Sequence, residues 1–175
     1  MSPSTRFAAS LVVLCLSGCN SASDKDQIAA VGPENERMNS AMAAARDSLD
    51  AFRGALNAPP PQAQNFTVKK GFPIGDDPEA LEHMWISDVR ADGQNFVGTL
   101  DNAPAGDVGV SLGDEVTITP DEVSDWMYFV ISDNGPPRLV GGYTMYALHD
   151  ILTGAELESF KATLPFDLSG EPVTQ

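Results

Sequence analysis

The sequence predicts an α+β fold: a small antiparallel β-sheet of about five strands packed against an N-terminal helix, with short C-terminal helices. Three observations support this prediction. Apolar residues recur every three or four positions over residues 34–57, which is the period of a helix. Between residues 66 and 132, five short runs alternate apolar and polar residues, as strands do. Glycine, proline and aspartate separate these runs and favour turns there.

The first helix is predicted over residues 34–57. Its apolar residues share one face: Met38, Met42, Ala45, Leu49, Phe52 and Leu56. Pro33 and Glu34 suit a helix start, and the prolines at 59–61 end the helix because proline has no backbone N–H to donate. A methionine-rich face can be an adaptable binding surface, but this pattern is more typical of a face that packs on a sheet.

The five predicted strands cover residues 66–70, 83–89, 94–100, 115–119 and 125–132. Residues 71–80 and 101–109 are rich in glycine, proline or aspartate, and both are predicted to be loops.

The last of these strands has apolar side chains on both faces: Trp126, Tyr128 and Val130 on one, and Met127, Phe129 and Ile131 on the other. A strand of this kind is central in a sheet or covered on both sides. Trp126 and Trp85, which lies on the second predicted strand, are expected to share the hydrophobic core. The alternative is that both form the floor of a ligand or peptide groove.

Two short helices are predicted to follow. Gly141 and Gly142 precede the first, in which Met145, Leu148 and Leu152 share a face. Residues 153–156 have the spacing of a capping box and are expected to begin the second. The last eleven residues, 165–175, are expected to be a frayed tail.

Residues 1–18 are predicted to be an export signal. Arg6 supplies one positive charge, and the apolar run over residues 7–16 is shorter than the roughly 20 residues that span a bilayer. Residues 16–19, Leu-Ser-Gly-Cys, resemble the lipobox of bacterial lipoproteins. The resemblance implies cleavage before Cys19 and acylation of its thiol with diacylglycerol, palmitate being an expected acyl chain. The alternative is an ordinary secretory signal followed by a chance cysteine.

Cleavage at that point would leave the mature chain without a free thiol. The only other cysteine is Cys15, which would leave with the signal. This excludes a disulfide, a cysteine nucleophile and a zinc–thiolate site in the mature protein.

The segment over residues 19–33 is predicted to be a flexible tether, because its small polar residues bury little apolar surface. It would connect the lipid to a single domain over residues 34–164. Asn20, next to the acylated cysteine, favours the outer membrane over the inner one. We therefore expect a periplasm-facing protein of the bacterial envelope.

The formal net charge of −15 limits the partners. Such a field repels nucleic acid, so no nucleic-acid partner is expected. The expected partners are the membrane, through the N-terminal lipid, and another envelope protein.

Several short motifs occur in one order along the chain: residues 82–85 (Glu-His-Met-Trp), 96–100 (Phe-Val-Gly-Thr-Leu), 112–114 (Leu-Gly-Asp), 125–128 (Asp-Trp-Met-Tyr) and 141–144 (Gly-Gly-Tyr-Thr). With these motifs the chain resembles the YegJ-like bacterial family, domain of unknown function 2314, over residues 39–152. The resemblance implies a small α+β domain, often exported, with no agreed activity. Tyr146 stands where the family pattern leads us to expect a basic residue.

The candidate site residues each have two interpretations. His83 and Asp125 can form a histidine–carboxylate pair for proton transfer, but histidine beside acids is common. Gly141 and Gly142 can bind an anion through backbone N–H groups, but a turn with positive φ needs the same glycines. Lys69, in the basic pair with Lys70, is interpreted as a solvated strand end.

Other chemistry has weaker support. Ser111 and Ser124 lack the motif that surrounds a nucleophilic serine. A metal site would need His83, His149, Asp150 and surface carboxylates, but the two histidines are not at ligand spacing, so neither a metal nor a cofactor is predicted.

The sequence therefore favours a lipid-anchored binding or accessory module and leans against an enzyme. His83, Trp85, Asp125, Trp126, Gly141 and Gly142 are the candidate binding residues. A hydrolase using His83 and Asp125 is the alternative.

Overall fold

The computed structural model describes residues 36–166, 168 and 170–173, with the backbone alone at 77–79. The elements in this part of the chain are α1 Glu36–Asp47, α2 Leu49–Asn57, β1 Ala63–Ile74, β2 Asp77–Asp92, β3 Asn95–Leu100, β4 Glu115–Ile118, a 3₁₀-helix Pro120–Glu122, β5 Val123–Val130, β6 Arg138–Gly141, α3 Tyr143–Ile151 and α4 Gly154–Ala162. These elements confirm the predicted α+β class.

The six strands form one antiparallel sheet in the order β4-β3-β2-β1-β5-β6. The strand beyond the predicted five is β6, which follows Pro136 and Pro137 and spans four residues. So short a strand offers too few positions for alternation to be recognised in sequence.

The loop predicted over residues 71–80 is wrong. β1 continues to Ile74 and β2 begins at Asp77, so the two strands form a long hairpin that turns at Gly75, where φ is +60°. Glycine and proline in this stretch obscured the strands, since both are depleted in sheets. Phe72 nevertheless keeps the alternation set by Val68, and both side chains are buried.

The helices α1 and α2 cover the first face of the sheet. The predicted apolar helix face is confirmed at Ala45, Leu49 and Phe52, which are buried in this core, whereas Met38 and Met42 are half-buried. The start predicted at residue 34 lies outside the described residues.

The predicted single helix over residues 34–57 is two helices. The chain turns at Ser48, whose hydroxyl donates to the carbonyl oxygens of Ala44 at 2.9 Å and Ala45 at 3.0 Å. A serine hydroxyl that bonds to the preceding turn commonly bends a helix.

The second face of the sheet is covered unevenly. Over β5 and β6 it packs against α3 and the C-terminal segment, and the buried residues of this cluster are Trp85, Met127, Phe129, Leu139, Met145, Tyr146, Phe166 and Leu168. Over β1 and β2 it is more open, because His83 and Leu81 are exposed there. β5 is thus covered on both sides, as its two apolar faces predict.

The C-terminal expectations are confirmed in part. The last predicted helix is present as α4, but the Thr153 side chain makes no capping hydrogen bond. The expectation of a frayed tail is wrong for Phe166 and Leu168, which are buried. The carbonyl oxygen of Val173 also accepts the N–H of Gly141 at 2.7 Å.

Candidate functional site

Asp125 lies on β5 and is fully buried on the second face of the sheet. Its carboxylate accepts four hydrogen bonds: from the backbone N–H groups of Trp126 (2.8 Å), Tyr143 (3.0 Å) and Thr144 (2.8 Å), and from the Thr144 hydroxyl (2.6 Å). Tyr143 and Thr144 are the first two residues of α3, where helical N–H groups have no partner within the helix. Asp125 therefore anchors the start of α3 to the sheet.

Gly141 and Gly142 make the tight turn that brings α3 to Asp125. Both have positive φ, +75° and +73°, which glycine adopts without strain. Their N–H groups donate to the carbonyl oxygens of Val173 and Trp126, at 2.7 and 2.8 Å. The turn interpretation thus has direct geometric support. The carboxylate that accepts hydrogen bonds beside this turn is the side chain of Asp125.

His83 lies on β2, directly opposite Gly71 of β1. Its Nδ1 is 3.0 Å from the hydroxyl oxygen of Ser124. A Cβ at Gly71 would lie 3.1 Å from Cε1 of His83, so the glycine leaves room for the imidazole across β1. The ring is thereby held against β5.

An irregularity in β5 brings Ser124 to His83. In the pairing of β1 with β5, Lys69 is opposite Asp125 while Lys70 is opposite Val123, so Ser124 is an additional residue between them. Such a bulge changes the direction of neighbouring side chains, and no sequence motif indicated it.

Lys69 lies between the two strands that carry the candidate residues, opposite Trp85 on one side and Asp125 on the other. Its half-buried side chain places Nζ 5.4 Å from the centre of the Trp85 ring and 3.4 Å from the Thr144 hydroxyl oxygen. The interpretation of Lys69 as a solvated strand end is therefore wrong. Lys70, on the other face, pairs with Glu122 at 2.6 Å.

Burial and the charges of neighbouring groups shift the pKa values of Asp125, Lys69 and His83. Burial raises the pKa of Asp125 to about 6, against its hydrogen bonds to Thr144 and the nearby charge of Lys69, which favour the carboxylate. Burial lowers the pKa of Lys69, against the attraction of Asp125. Burial of one side of the ring, and secondly the charge of Lys69, lower the pKa of His83 to about 4. At neutral pH His83 is consequently an uncharged imidazole.

The two tryptophans do not share a core or a groove, contrary to both sequence interpretations. Trp126 packs with the helices on the first face, and Trp85 belongs to the apolar cluster on the second. Both are buried, with 0% and 7% of their surface exposed. Their side chains lie on opposite faces of the sheet. The two residues are on different strands, and the sequence alone does not set the register between those strands.

The structure thus brings His83, Trp85 and Asp125 to one region, with Gly141 and Gly142 behind it, and places Trp126 on the other face. Lys69, Ser124 and Thr144 are the polar residues of this region that sequence reasoning did not select. The sequence did contain a signal for Lys69. It is adjacent to Val68 on the strand, so the two side chains point to opposite faces, and Lys69 lies on the face that α1 and α2 do not cover.

Metal binding has no support within the described part of the chain, where no group of three histidine, cysteine or acidic residues is arranged to hold an ion. His149 lies at the end of α3, where its Nδ1 is 3.6 Å from Asp150, which in turn pairs with Arg37.

A separate cavity of about 310 Å³ lies between α3, α4 and the C-terminal segment. It is lined by Pro136, His149, Lys161, Leu164, Pro165, Phe166 and Leu168. None of the candidate residues lines it.

Cys19, the predicted lipidation site, lies outside the described residues, as do the signal and the tether. Among the residues that are described, no helix has the length and apolar character needed to cross a bilayer.

Comparison with known proteins identifies similar chains. A family model described as "Uncharacterized protein conserved in bacteria (DUF2314)" matches residues 35–168. Uncharacterized protein YegJ of Escherichia coli (strain K12) is 30% identical over 139 residues, which cover 79% of this chain and 84% of that protein.

A protein of Neisseria meningitidis serogroup B, named as an ankyrin repeat protein, is 37% identical over 101 residues. This alignment covers 58% of the present chain but only 38% of the Neisseria protein. No solved structure matches the chain significantly.

Proposed function

Since the chain belongs to the YegJ-like DUF2314 family of bacterial proteins, we propose that it is a lipid-anchored envelope protein that acts as a non-catalytic binding or accessory module. The anchor is the acylated Cys19, and the domain faces the periplasm, with the outer membrane favoured over the inner by Asn20. The lipobox-like residues 16–19 after the apolar run support this location.

The observation that carries the non-catalytic part of the proposal is the hydrogen bonding of Asp125. A general base must be within hydrogen-bond reach of the proton that it abstracts. The carboxylate of Asp125 is fully buried, and it accepts its four hydrogen bonds from β5 and the start of α3. The hydrogen bonds of Asp125 therefore support a structural role, whereas a catalytic pair would need its carboxylate free to accept a proton.

The binding part of the proposal rests on the uneven cover of the second sheet face. Over β1 and β2, Leu81 and His83 are exposed beside the half-buried Lys69. A partner that binds there would continue the cover that α3 provides over β5 and β6.

The anchor is tested by replacing Cys19 with serine. Cys19→Ser is expected to abolish incorporation of labelled palmitate and to release the protein from the membrane fraction, because a hydroxyl does not form the thioether. Cys15→Ser is the matched control and should be labelled normally, since Cys15 lies within the signal. Membrane-bound, palmitate-labelled Cys19→Ser protein would contradict the proposal.

The binding role is tested by quantitative capture from detergent-solubilised envelopes, with the full chain as bait. We expect an envelope protein that the wild type enriches and that His83→Ala loses. His149→Ala, which changes the other histidine at the end of α3, should capture it normally. Equal capture by both variants would exclude the open sheet face as the binding surface.

The alternative is a hydrolase that uses His83 with Asp125. The distance of 3.0 Å between His83 Nδ1 and the Ser124 hydroxyl oxygen favours it, because a serine nucleophile is activated by such a neighbour. Turnover of simple aryl esters that disappears in His83→Ala, in Ser124→Ala and in folded Asp125→Asn would establish this alternative. Turnover that is absent, or that survives in these variants, would exclude it.

A further inference from the structure

The side chain of Lys69 forms no direct ion pair with the described residues. The ion pairs between described residues involve Arg37, Lys70, Arg90, His149 and Lys161 as the basic partners, and Lys69 is in none of them. Its hydrogen bond to the Thr144 hydroxyl is long, at 3.4 Å. An ammonium group that is half-buried without a counter-ion is unfavourable unless another group compensates it.

Asp125, the acid nearest to Lys69 in the sheet, does not take that role directly. Its oxygens accept hydrogen bonds from Trp126, Tyr143 and Thr144. It forms none of the ion pairs between described residues. It attracts Lys69 only from behind the Thr144 hydroxyl, which donates to Asp125 and accepts from Lys69. The ammonium therefore has one long hydrogen bond, to the Thr144 hydroxyl, and a contact with the face of the Trp85 ring, but no direct counter-ion among the described residues.

Lys70 provides the internal comparison. It is the next residue on the same strand, yet its ammonium pairs with Glu122 at 2.6 Å and approaches the carbonyl oxygen of Thr117 at 3.4 Å. The two lysines are neighbours on β1 but lie on opposite faces, and only Lys70 has a carboxylate as a direct counter-ion.

His83 supplies a second polar group next to Lys69. It is opposite Gly71, two residues along β1 from Lys69, so the two side chains are diagonal neighbours on one face. Its Nδ1 faces Ser124, which directs Nε2 away from that contact. The charged group that acts on His83 from a neighbouring strand is Lys69 on β1.

We propose that Lys69 and His83 form a binding site for an oxyanion, either a carboxylate or a phosphate group. The inference rests on the proposed function, because it specifies the chemistry of the ligand that the open sheet face binds. The oxyanion would supply the missing counter-charge to the ammonium through a charge-assisted hydrogen bond. The Nε2 of His83 would donate the second hydrogen bond in the tautomer whose Nδ1 accepts from Ser124.

Nuclear magnetic resonance of the full chain, purified in detergent with labelled histidine, tests the proposal. The chain has two histidines, so His149 at the end of α3 is an internal control. Acetate and inorganic phosphate are titrated separately, at constant ionic strength, to distinguish a carboxylate ligand from a phosphate ligand. We expect at least one of them to shift the ring signals of His83 saturably and to raise the pKa of His83, because the anion offsets the charge of Lys69.

Two variants locate the site. Lys69→Met keeps the apolar part of the side chain and should weaken anion binding about tenfold or more, the usual effect of losing a hydrogen bond to a charged group. Lys70→Met should bind as the wild type does, and Lys69→Arg should retain binding. Circular dichroism confirms that each variant is folded.

No saturable shift of the His83 signals with either anion would overturn the proposal, as would an unchanged response in Lys69→Met. Both anions are added to the isolated protein, so this result does not depend on capturing an envelope partner. Failure of this inference and failure of the proposed function are therefore separate outcomes.

Discussion

Trp126 is the residue on which the core of the first sheet face depends most. It has no solvent exposure, and its indole N–H donates to the carbonyl oxygen of Ala45 at 2.9 Å and approaches the Ser48 hydroxyl at 3.1 Å. Trp126→Ala should lower the free energy of unfolding by about 3–5 kcal/mol, measured in urea. His83→Ala, which truncates an exposed residue, should change it by about 1 kcal/mol or less. Similar losses in the two variants would contradict this difference.

The pKa shifts of His83 and Asp125 have opposite effects on stability. His83 has a folded pKa of about 4, below its ordinary 6.5, so the unfolded chain binds more protons and stability rises with pH through this window. Asp125 has a folded pKa of about 6, above its ordinary 3.8, so its contribution to stability is lost as pH rises through that value. In the wild type the two contributions largely offset each other between about pH 4 and 6.

Replacing His83 by glutamine should remove one of these two contributions. Between about pH 4 and 6.5, the wild type should become progressively more stable relative to His83→Gln, because only the wild type gains stability from the titration of His83. Urea unfolding of both proteins across this range measures the difference. A difference that stays constant with pH would show that the pKa of His83 is not lowered by the fold.

Individual residues were predictable from the sequence only where the pattern was local. The burial of Trp126 follows from a strand with apolar residues at every position from 126 to 131. The contact of His83 with Ser124 depends on a register between β2, β1 and β5 and on a bulge, neither of which leaves a local pattern. Lys69 was misinterpreted for the same reason, since its neighbours come from other strands.

The turn between β6 and α3 is the element on which the site depends. A Cβ at Gly141 would lie 2.3 Å from the carbonyl oxygen of Trp126, and the residue has a φ of +75°. Gly141→Ala should therefore be strongly destabilising, by about 2 kcal/mol or more, as seen by thermal or urea unfolding. Gly54→Ala is the control, because Gly54 lies in α2 with nothing within 4 Å of a Cβ, and alanine there should stabilise by roughly 0.5–1 kcal/mol. Tolerance of alanine at both glycines would contradict the described turn.

Elements were predictable where they were long and periodic. The apolar face of the first helix and the five strands were predicted, but the break at Ser48 was not, because the period continues across it. β6 was too short, and the β1–β2 hairpin was concealed by turn-forming residues that occur within strands.

At the scale of the whole molecule, one face of the sheet is covered by α1 and α2. The other face is covered by α3 and the C-terminal segment over β5, β6 and Trp85 of β2. The fold class followed from the sequence because it depends on the number and kinds of elements. The distribution of polar residues between the two faces did not, because it depends on strand order, and the order β4-β3-β2-β1-β5-β6 is not that of the chain. The proposed binding role comes from the open part of the second face.

We propose that Asp125 holds α3 on the sheet and takes no part in catalysis, and the unfolding free energy of Asp125→Asn tests this proposal most directly. An asparagine amide in this position points an NH₂ group toward N–H or O–H groups whose hydrogen bonds the carboxylate accepted. Each buried group left without a partner costs about 1–3 kcal/mol. We predict a loss of about 2 kcal/mol or more in urea, whereas Asp133→Asn, at an exposed position, should stay within about 0.5 kcal/mol of the wild type. Wild-type stability in Asp125→Asn, together with loss of an ester hydrolysis that the wild type performs, would contradict the claim.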